Sequence, residues 1–299
     1  MLPDVPAWPH ADASRAVDAA GLSWHVQIMG RGPAALLLHG TGGATHSWSD
    51  VAPLLAQHFT VIAPDLPGHG FTSRPATDRL SIRGMAADTA ALLAALGAPP
   101  VALVVGHSAG AAIALRLVLD GAIAPALIVG INAALEAPPA AYTACVRPLV
   151  DVVARSAVTA RLASVFGRRQ SVTDSLLRST GSIVPADQRA RYGALLRSPE
   201  RIGAVLTMMA NWELADVWAD ASRLTVPVLL IAADRDDWVP PRVATAAARR
   251  LPHASVVVLP GLGHLAHEED AGTVVRVILD AARAAGLRIA APADFVPAG

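Results

Sequence analysis

The tightest constraint on this 299-residue chain is a five-residue join, Gly106-His107-Ser108-Ala109-Gly110, between the apolar run Val101 to Val105 and the Ala-rich stretch Ala109 to Leu119. The run is short, rich in valine and free of charge, which predicts a buried strand. The stretch that follows has helical spacing and predicts a helix. Glycines two residues to either side of Ser108 relieve the crowding of a sharp turn, so the serine is predicted at the crest of a strand-to-helix turn, with its hydroxyl lifted clear of the backbone.

Strands and helices alternate on both sides of this join. Leu22 to Met29 and Ala34 to Leu38 read as strands, Thr45 to Gln57 as a helix, Phe59 to Ala63 as a strand, and Ile82 to Leu96 as a helix stopped by Gly97 and Pro99-Pro100. Ala126 to Ile131 reads as a further strand. This rhythm calls for an α/β fold with a mostly parallel central sheet and helices on both faces. From 136 to 224 the alternation stops, and four helices are predicted instead: Tyr142 to Phe166, Thr173 to Arg178, Ala186 to Leu196 and Ile202 to Ala210. The expected organisation is a core of residues 1–135 and 225–299, with a helical cap of residues 136–224 inserted between core strands. A strand at Val226 to Ala232, a helix at Arg242 to Arg250, a strand at Ser255 to Leu259 and a helix at Gly272 to Ala284 complete the core, ahead of an irregular tail.

Composition removes several chemistries. The 24 basic residues are all arginine and balance 24 acidic ones, so no global field steers the chain toward nucleic acid. Without a lysine there is no Schiff base, no pyridoxal-phosphate anchor, no Walker-type phosphate lysine and no Ser-Lys dyad. The lone Cys145 allows neither an internal disulfide nor a cysteine-built zinc site, and is expected as a small buried apolar residue. The 10 histidines form no compact ligand motif, and Gly40 to Gly43 lacks the Gly-x-Gly-x-x-Gly spacing, so neither a metal nor a dinucleotide cofactor is expected. The first residues carry no basic region followed by an apolar run, which predicts cytoplasmic residence. A hydrophobic fraction of 53% and a mean hydropathy of +0.44 come without a clean membrane-spanning run. They leave room for an apolar surface patch facing a membrane or a lipophilic ligand.

A serine hydroxyl becomes a good nucleophile only when an imidazole can take its proton. The strand, turn and helix around Ser108 resemble the α/β-hydrolase fold, in which an acid and then a histidine follow, each just after a later strand. Asp236 follows the strand ending at Ala232, and its Asp-x-x-x-Pro spacing to Pro240 resembles that fold's acid turn. Asp234 and Asp237 stand beside it as alternatives for the acid or as caps for the next helix. His264, in Gly261-Leu262-Gly263-His264, follows the last strand. His267 is the alternative base, expected otherwise at the surface or against the cap. Two backbone N–H groups must stabilise a developing oxyanion; Ala109 and Thr41, in the His39-Gly40-Thr41-Gly42-Gly43 loop, are the candidates. His39 is expected to order that loop, while Asp65 and His69 shape the turn of Asp65 to Gly70.

A wider resemblance rests on Leu38 to Trp48, Asp65 to Phe71, Val105 to Ala111, Ser179-Thr180-Gly181-Ser182 and Met208-Met209-Ala210-Asn211-Trp212. Together these runs resemble the α/β-hydrolase-fold magnesium-chelatase accessory proteins of bacteriochlorophyll biosynthesis, over nearly the whole chain. The resemblance implies a place near magnesium insertion, a tetrapyrrole or other hydrophobic ester as ligand, magnesium-chelatase subunits as partners and peripheral contact with a photosynthetic membrane. Candidate ligand-contact residues are His39, Gly40, His107, Met208, Met209 and Trp212. Trp218 is a further cap aromatic, and Arg147, Arg168 and Arg169 are candidates for carboxylate pairing. Three functions stand at this point: a Ser-His-Asp hydrolase, a non-catalytic porphyrin carrier or assembly factor, and a general esterase or cofactor-free haloperoxidase-like enzyme.

Overall fold

The computed structural model describes residues 8–136, 156–167 and 169–289. Cys145, Arg147, Arg168 and the first part of the predicted Tyr142 to Phe166 helix lie outside the described residues. Eight strands form one sheet: β1 (Ser14–Ala19), β2 (Leu22–Met29), β3 (Ala34–Leu38), β4 (Thr60–Pro64), β5 (Val101–His107), β6 (Leu127–Ile131), β7 (Val228–Ala233) and β8 (Ala254–Leu259). Their spatial order is β1-β2-β4-β3-β5-β6-β7-β8. Only β1 with β2 and β2 with β4 pair antiparallel. The other pairings are parallel.

Position in the sheet explains strand composition. Every residue of β3, β6 and β7 is buried, as continuous apolar runs covered on both faces must be. The edge strands β1 and β8 are only partly buried. Along the inner strands alternate residues feed two apolar layers. Leu36, Leu38 and Val104 join Met85 and Leu92 of α2 (Ile82–Ala95) and Ile113 and Leu117 of α3 (Ala109–Leu119) on one face. Leu37, Leu103 and Val105 join Val51 and Leu55 of α1 (Val51–Leu55) and Val274 and Ile278 of the C-terminal helix (Ala271–Ala284) on the other.

Two expectations for the core elements change, and the cap gains a helix at Ala215–Asp220 beyond the four expected. β1 is an additional strand whose sequence, Ser-Arg-Ala-Val-Asp-Ala, has no strong alternation and is held by its antiparallel register with β2. The predicted Thr45 to Gln57 helix divides into a 3₁₀ turn, Thr45–Trp48, and α1. The reason is tertiary. Asp65 Oδ1 accepts the Thr45 N–H at 2.6 Å, and the Ser47 hydroxyl donates to Glu268 Oε1 at 2.6 Å, which fixes the first turn from outside the segment.

Between β6 and β7 run α4 (Ala157–Gly167), α5 (Gln170–Arg178), α6 (Ala186–Leu195), α7 (Pro199–Ala210) and α8 (Ala215–Asp220), called the cap below. Cap side chains are tied to core loops. Arg201 donates to the Gly70 carbonyl. Arg74 reaches Thr207 Oγ1 at 3.2 Å, and Asn211 donates to the carbonyls of Thr77 and Leu80 at 2.7 and 3.1 Å.

The strand order reverses at β3. The chain leaves β3 for β4 on one side and returns to β5 on the other, which opens a crevice beyond the carboxyl ends of β3 and β5, where α/β sheets bind ligands. The His39 loop and Ser108 emerge into that crevice.

Candidate active site

Ser108 has φ 49° and ψ −113°, a left-handed conformation that a non-glycine residue holds only when its surroundings impose it. The surroundings are explicit. A Cβ on Gly106 would lie 2.4 Å from the Ala111 nitrogen, and one on Gly110 would lie 2.1 Å from the Leu38 carbonyl oxygen. The turn is therefore packed backbone to backbone, and only glycine fits two residues before or after the serine. The Ser108 N–H donates to the Ile131 carbonyl at 2.9 Å, anchoring the turn to β6. Ala109 opens α3, so its N–H belongs to the first helical turn, where the backbone donors have no partner within the helix.

The loop after β3 is ordered by His39. Its Nδ1–H donates to the Gly40 carbonyl at 2.8 Å, and its Nε2 accepts the Leu66 N–H at 2.9 Å. Burial pushes His39 below the usual histidine range, against the pull of Asp65, so the neutral ring these bonds require is the favoured one. A Cβ on Gly40 would stand 2.7 Å from His107 Nδ1 and 3.1 Å from Ser108 Cβ, which shows how closely this loop approaches the serine. Thr41 follows it, and the Thr41 hydroxyl lies 3.9 Å from Met208 Sδ of the cap.

Of the three neighbouring aspartates after β7, Asp236 is buried while Asp234 and Asp237 are exposed. Asp236 Oδ2 lies 2.7 Å from His264 Nδ1 and accepts Asn132 Nδ2 at 2.7 Å. Its Oδ1 accepts the N–H groups of Trp238 and Val239, both at 2.8 Å. An ionised carboxylate only accepts, so Nδ1 carries the proton and Nε2 of His264 is left as the basic nitrogen. Asp234 instead accepts the Gly261 N–H at 2.7 Å and shapes a turn. Among the described residues Ser108 Oγ makes no hydrogen bond.

His267 is fully buried rather than at the surface, a correction to the reading of the sequence. Its ring lies 4.4 Å from that of His107 and 4.8 Å from that of Trp48, and its Nε2–H donates to Ser47 Oγ at 2.8 Å. Burial lowers its pKa to about 3. Beside it Glu268, also buried, accepts Ser47 and the cap's Tyr192 hydroxyl, both at 2.6 Å, and burial pushes its carboxyl up to about 7. The Tyr192 contact joins cap to core, and no motif in the sequence marks it.

The remaining candidates are dispersed. Met208 is fully buried and Met209 is half-exposed. Trp212 packs against the apolar layer that includes α2 and α3. Trp218 stacks under the Arg250 guanidinium at 3.9 Å. Arg169 is exposed. Asp65 binds His25 at 2.7 Å and the Phe71 N–H at 2.8 Å, holding its turn. Among the described residues no cluster of His, Cys, Asp or Glu is placed to hold a metal ion, and no helix is long and apolar enough to cross a membrane.

Comparison with known proteins agrees with this architecture. Residues 35–277 match the model of the Alpha/beta hydrolase family. The chain is 39% identical over 275 residues to the Magnesium-chelatase 30 kDa subunit of Rhodobacter capsulatus, covering 91% of this chain and 95% of that protein. It is 29% identical to a pimeloyl-[acyl-carrier protein] methyl ester esterase of Xanthomonas campestris, covering 80% of this chain and 91% of the esterase. A crystal structure of an alpha/beta hydrolase fold protein from Burkholderia ambifaria superposes with a TM-score of 0.74 at 24% identity, covering 89% of this chain and 99% of that one. The chain belongs to the Alpha/beta hydrolase family, with the Magnesium-chelatase 30 kDa subunit among its relatives.

Proposed function

We propose that Ser108, His264 and Asp236 form the triad of a serine hydrolase acting on a carboxylic ester. The 2.7 Å contact between His264 Nδ1 and buried Asp236 carries this reading. It leaves Nε2 free as the general base, while Ser108 is held on a strained, glycine-flanked turn and the preceding His107 is bonded to the His264 carbonyl. In the reaction Ser108 Oγ attacks the ester carbonyl carbon as His264 Nε2 takes its proton. The tetrahedral oxyanion is held by the N–H groups of Ala109 and Thr41, and the proton passes to the departing alcohol. Water, deprotonated by the same nitrogen, then releases the acid and restores Ser108.

The identity with the Rhodobacter Magnesium-chelatase 30 kDa subunit supports a place in bacteriochlorophyll biosynthesis near the magnesium-chelatase step, and with it we propose a tetrapyrrole or other hydrophobic ester as the substrate. The core and cap division at residues 136 and 224 is part of the same proposal, with Met208 bringing the cap to the oxyanion loop. The test is hydrolysis of protoporphyrin dimethyl ester against p-nitrophenyl acetate by purified protein. Release of acid from the porphyrin ester that disappears in Ser108→Ala supports the reading; absence of serine-dependent turnover on both esters contradicts it.

One observation favours a second reading, that of a porphyrin carrier for magnesium chelatase: the Rhodobacter relative is named as a subunit of that enzyme. Saturable quenching of tryptophan fluorescence by protoporphyrin at micromolar concentration, equal in wild type and Ser108→Ala, would support it. Without such quenching it fails. In either reading a peripheral contact is supported by one face of α4, where Val158, Leu162, Val165 and Phe166 are all more than half exposed at helical spacing. Sedimentation with anionic vesicles tests that contact.

A further inference from the structure

The Ser179-Thr180-Gly181-Ser182 run lies in the cap, yet two of its hydrogen bonds go to the loop that carries His264. The Thr180 carbonyl accepts the His264 N–H at 3.0 Å, and Ser182 Oγ accepts the next N–H, that of Leu265, at 2.8 Å. Glu269 closes the arrangement. One of its carboxylate oxygens accepts the Gly263 N–H at 2.8 Å and the other accepts the Ile183 N–H at 3.0 Å, so a single side chain bridges the histidine loop and the cap.

Close backbone packing makes the joint stiff. Gly181 has φ +74°, and a Cβ there would lie 1.9 Å from the Arg235 carbonyl oxygen, in the acid loop. A Cβ on Gly263 would lie 2.4 Å from the Gly181 carbonyl carbon and 2.5 Å from the Ser182 nitrogen. The cap turn is thus wedged between the loops bearing Asp236 and His264, with no room for a side chain at either glycine. Ser182 is buried, so removing its oxygen takes away the acceptor that holds the Leu265 N–H.

His264 is consequently held from three directions. Its ring is fixed by Asp236, its carbonyl accepts His107 Nε2–H at 2.9 Å from the residue preceding Ser108, and its N–H is fixed by the cap. We infer that Ser182 and Glu269 are positioning residues, which make the cap turn at 179–183 one wall of the seat of His264 rather than part of a lid that swings free of it. The inference rests on the hydrolase reading of Ser108 and His264. It has a mechanical consequence: a displacement of this cap turn moves the base, so the cap and the histidine loop shift as one body, and ligand passage does not proceed by lifting the turn.

The experiment compares wild type, Ser182→Ala and Glu269→Ala, with Ser175→Ala on the exposed face of α5 as a control. Two quantities are read: the rate and pH midpoint of Ser108 labelling by a fluorophosphonate, and amide hydrogen exchange of the peptide spanning residues 262–266. A small displacement of the base is expected to slow labelling about 10- to 100-fold in both variants and to move the pH midpoint, with faster exchange confined to that peptide. Thermal midpoints measured in parallel separate this from general unfolding, and Ser175→Ala is expected to match wild type. Should Ser182→Ala not fold, Glu269→Gln carries the comparison. Unchanged labelling, midpoint and exchange would overturn the inference. If wild-type Ser108 does not label, the hydrolase reading fails. Exchange at 262–266 then still decides whether the cap turn holds the histidine loop: faster exchange in Ser182→Ala supports the clamp, and unchanged exchange removes it.

Discussion

Asp236 meets His264 at 2.7 Å through an oxygen that also accepts Asn132, while its other oxygen accepts two backbone N–H groups. The carboxylate is thus fully engaged before it reaches the imidazole, and it cannot turn away. Replacing Asp236 with Asn puts an amide where the ring donates and favours the wrong tautomer. A loss of ester hydrolysis on the order of 10³- to 10⁴-fold is expected. Asp234→Asn and Asp237→Asn, both at exposed positions, are expected to stay within about threefold of wild type. Initial rates on p-nitrophenyl acetate distinguish the three.

The glycine after the serine is a folding requirement before it is a catalytic one. In Gly110→Ala the new methyl carbon would sit 2.1 Å from the Leu38 carbonyl oxygen, where backbone cannot yield without separating β3 from α3. A loss of about 3 kcal/mol or more is expected, roughly 6 to 12 °C in thermal midpoint. A midpoint within a degree of wild type would show that this turn is looser than described.

How much of this was legible in the sequence depends on where each constraint comes from. β5, the serine turn and α3 are written locally, in a valine run, two glycines and an alanine-rich segment, so their positions follow from neighbouring residues. The spacing from Asp236 to Pro240 is likewise local. The division of Thr45 to Gln57 is not, because it is imposed by Asp65 and Glu268 from distant elements. His267 is of the same kind: expected at the surface or against the cap, it is buried by the packing of Trp48 and His107, which come from distant elements. The cap turn at 179–183 gave a sequence pattern without a purpose, since its partners lie more than 80 residues away at Gly263, Leu265 and Glu269.

Buried histidines set the response of stability to acid. His46, His69 and His267 are each lowered to about 3 by burial. Unfolding lets them charge at their ordinary value near 6.5, so the unfolded state binds more protons and stability falls as pH drops below that value. Each contributes about 1.4 kcal/mol per pH unit in the window from about 6.5 down to about 3. Glu268 acts in the opposite sense, because its carboxyl is raised to about 7: its contribution is full below the unfolded value near 4.5 and is lost as pH rises through 7. The histidines outnumber it, and His39 and His107 are lowered by burial in the same sense, so a net loss of several kcal/mol on going from pH 7 to pH 5 is expected from chemical denaturation. A stability that rises over that interval would contradict the burial described.

The Glu268 contribution can be isolated. Glu268→Gln removes the titrating group while keeping an oxygen for Ser47 and Tyr192. Measured against wild type, the variant is expected to gain about 2 kcal/mol in relative stability on going from pH 5 to pH 7. A difference independent of pH would mean that Glu268 titrates in its ordinary range.

The hydrolase account turns on whether Ser108 is a live nucleophile, and covalent labelling of the folded protein by a fluorophosphonate, mapped by mass spectrometry, tests that most directly. The account predicts one adduct per chain on the peptide containing Ser108, absent in Ser108→Ala and strongly slowed in His264→Ala. Folded wild-type protein that takes up no label at Ser108, or that labels equally without His264, would contradict it.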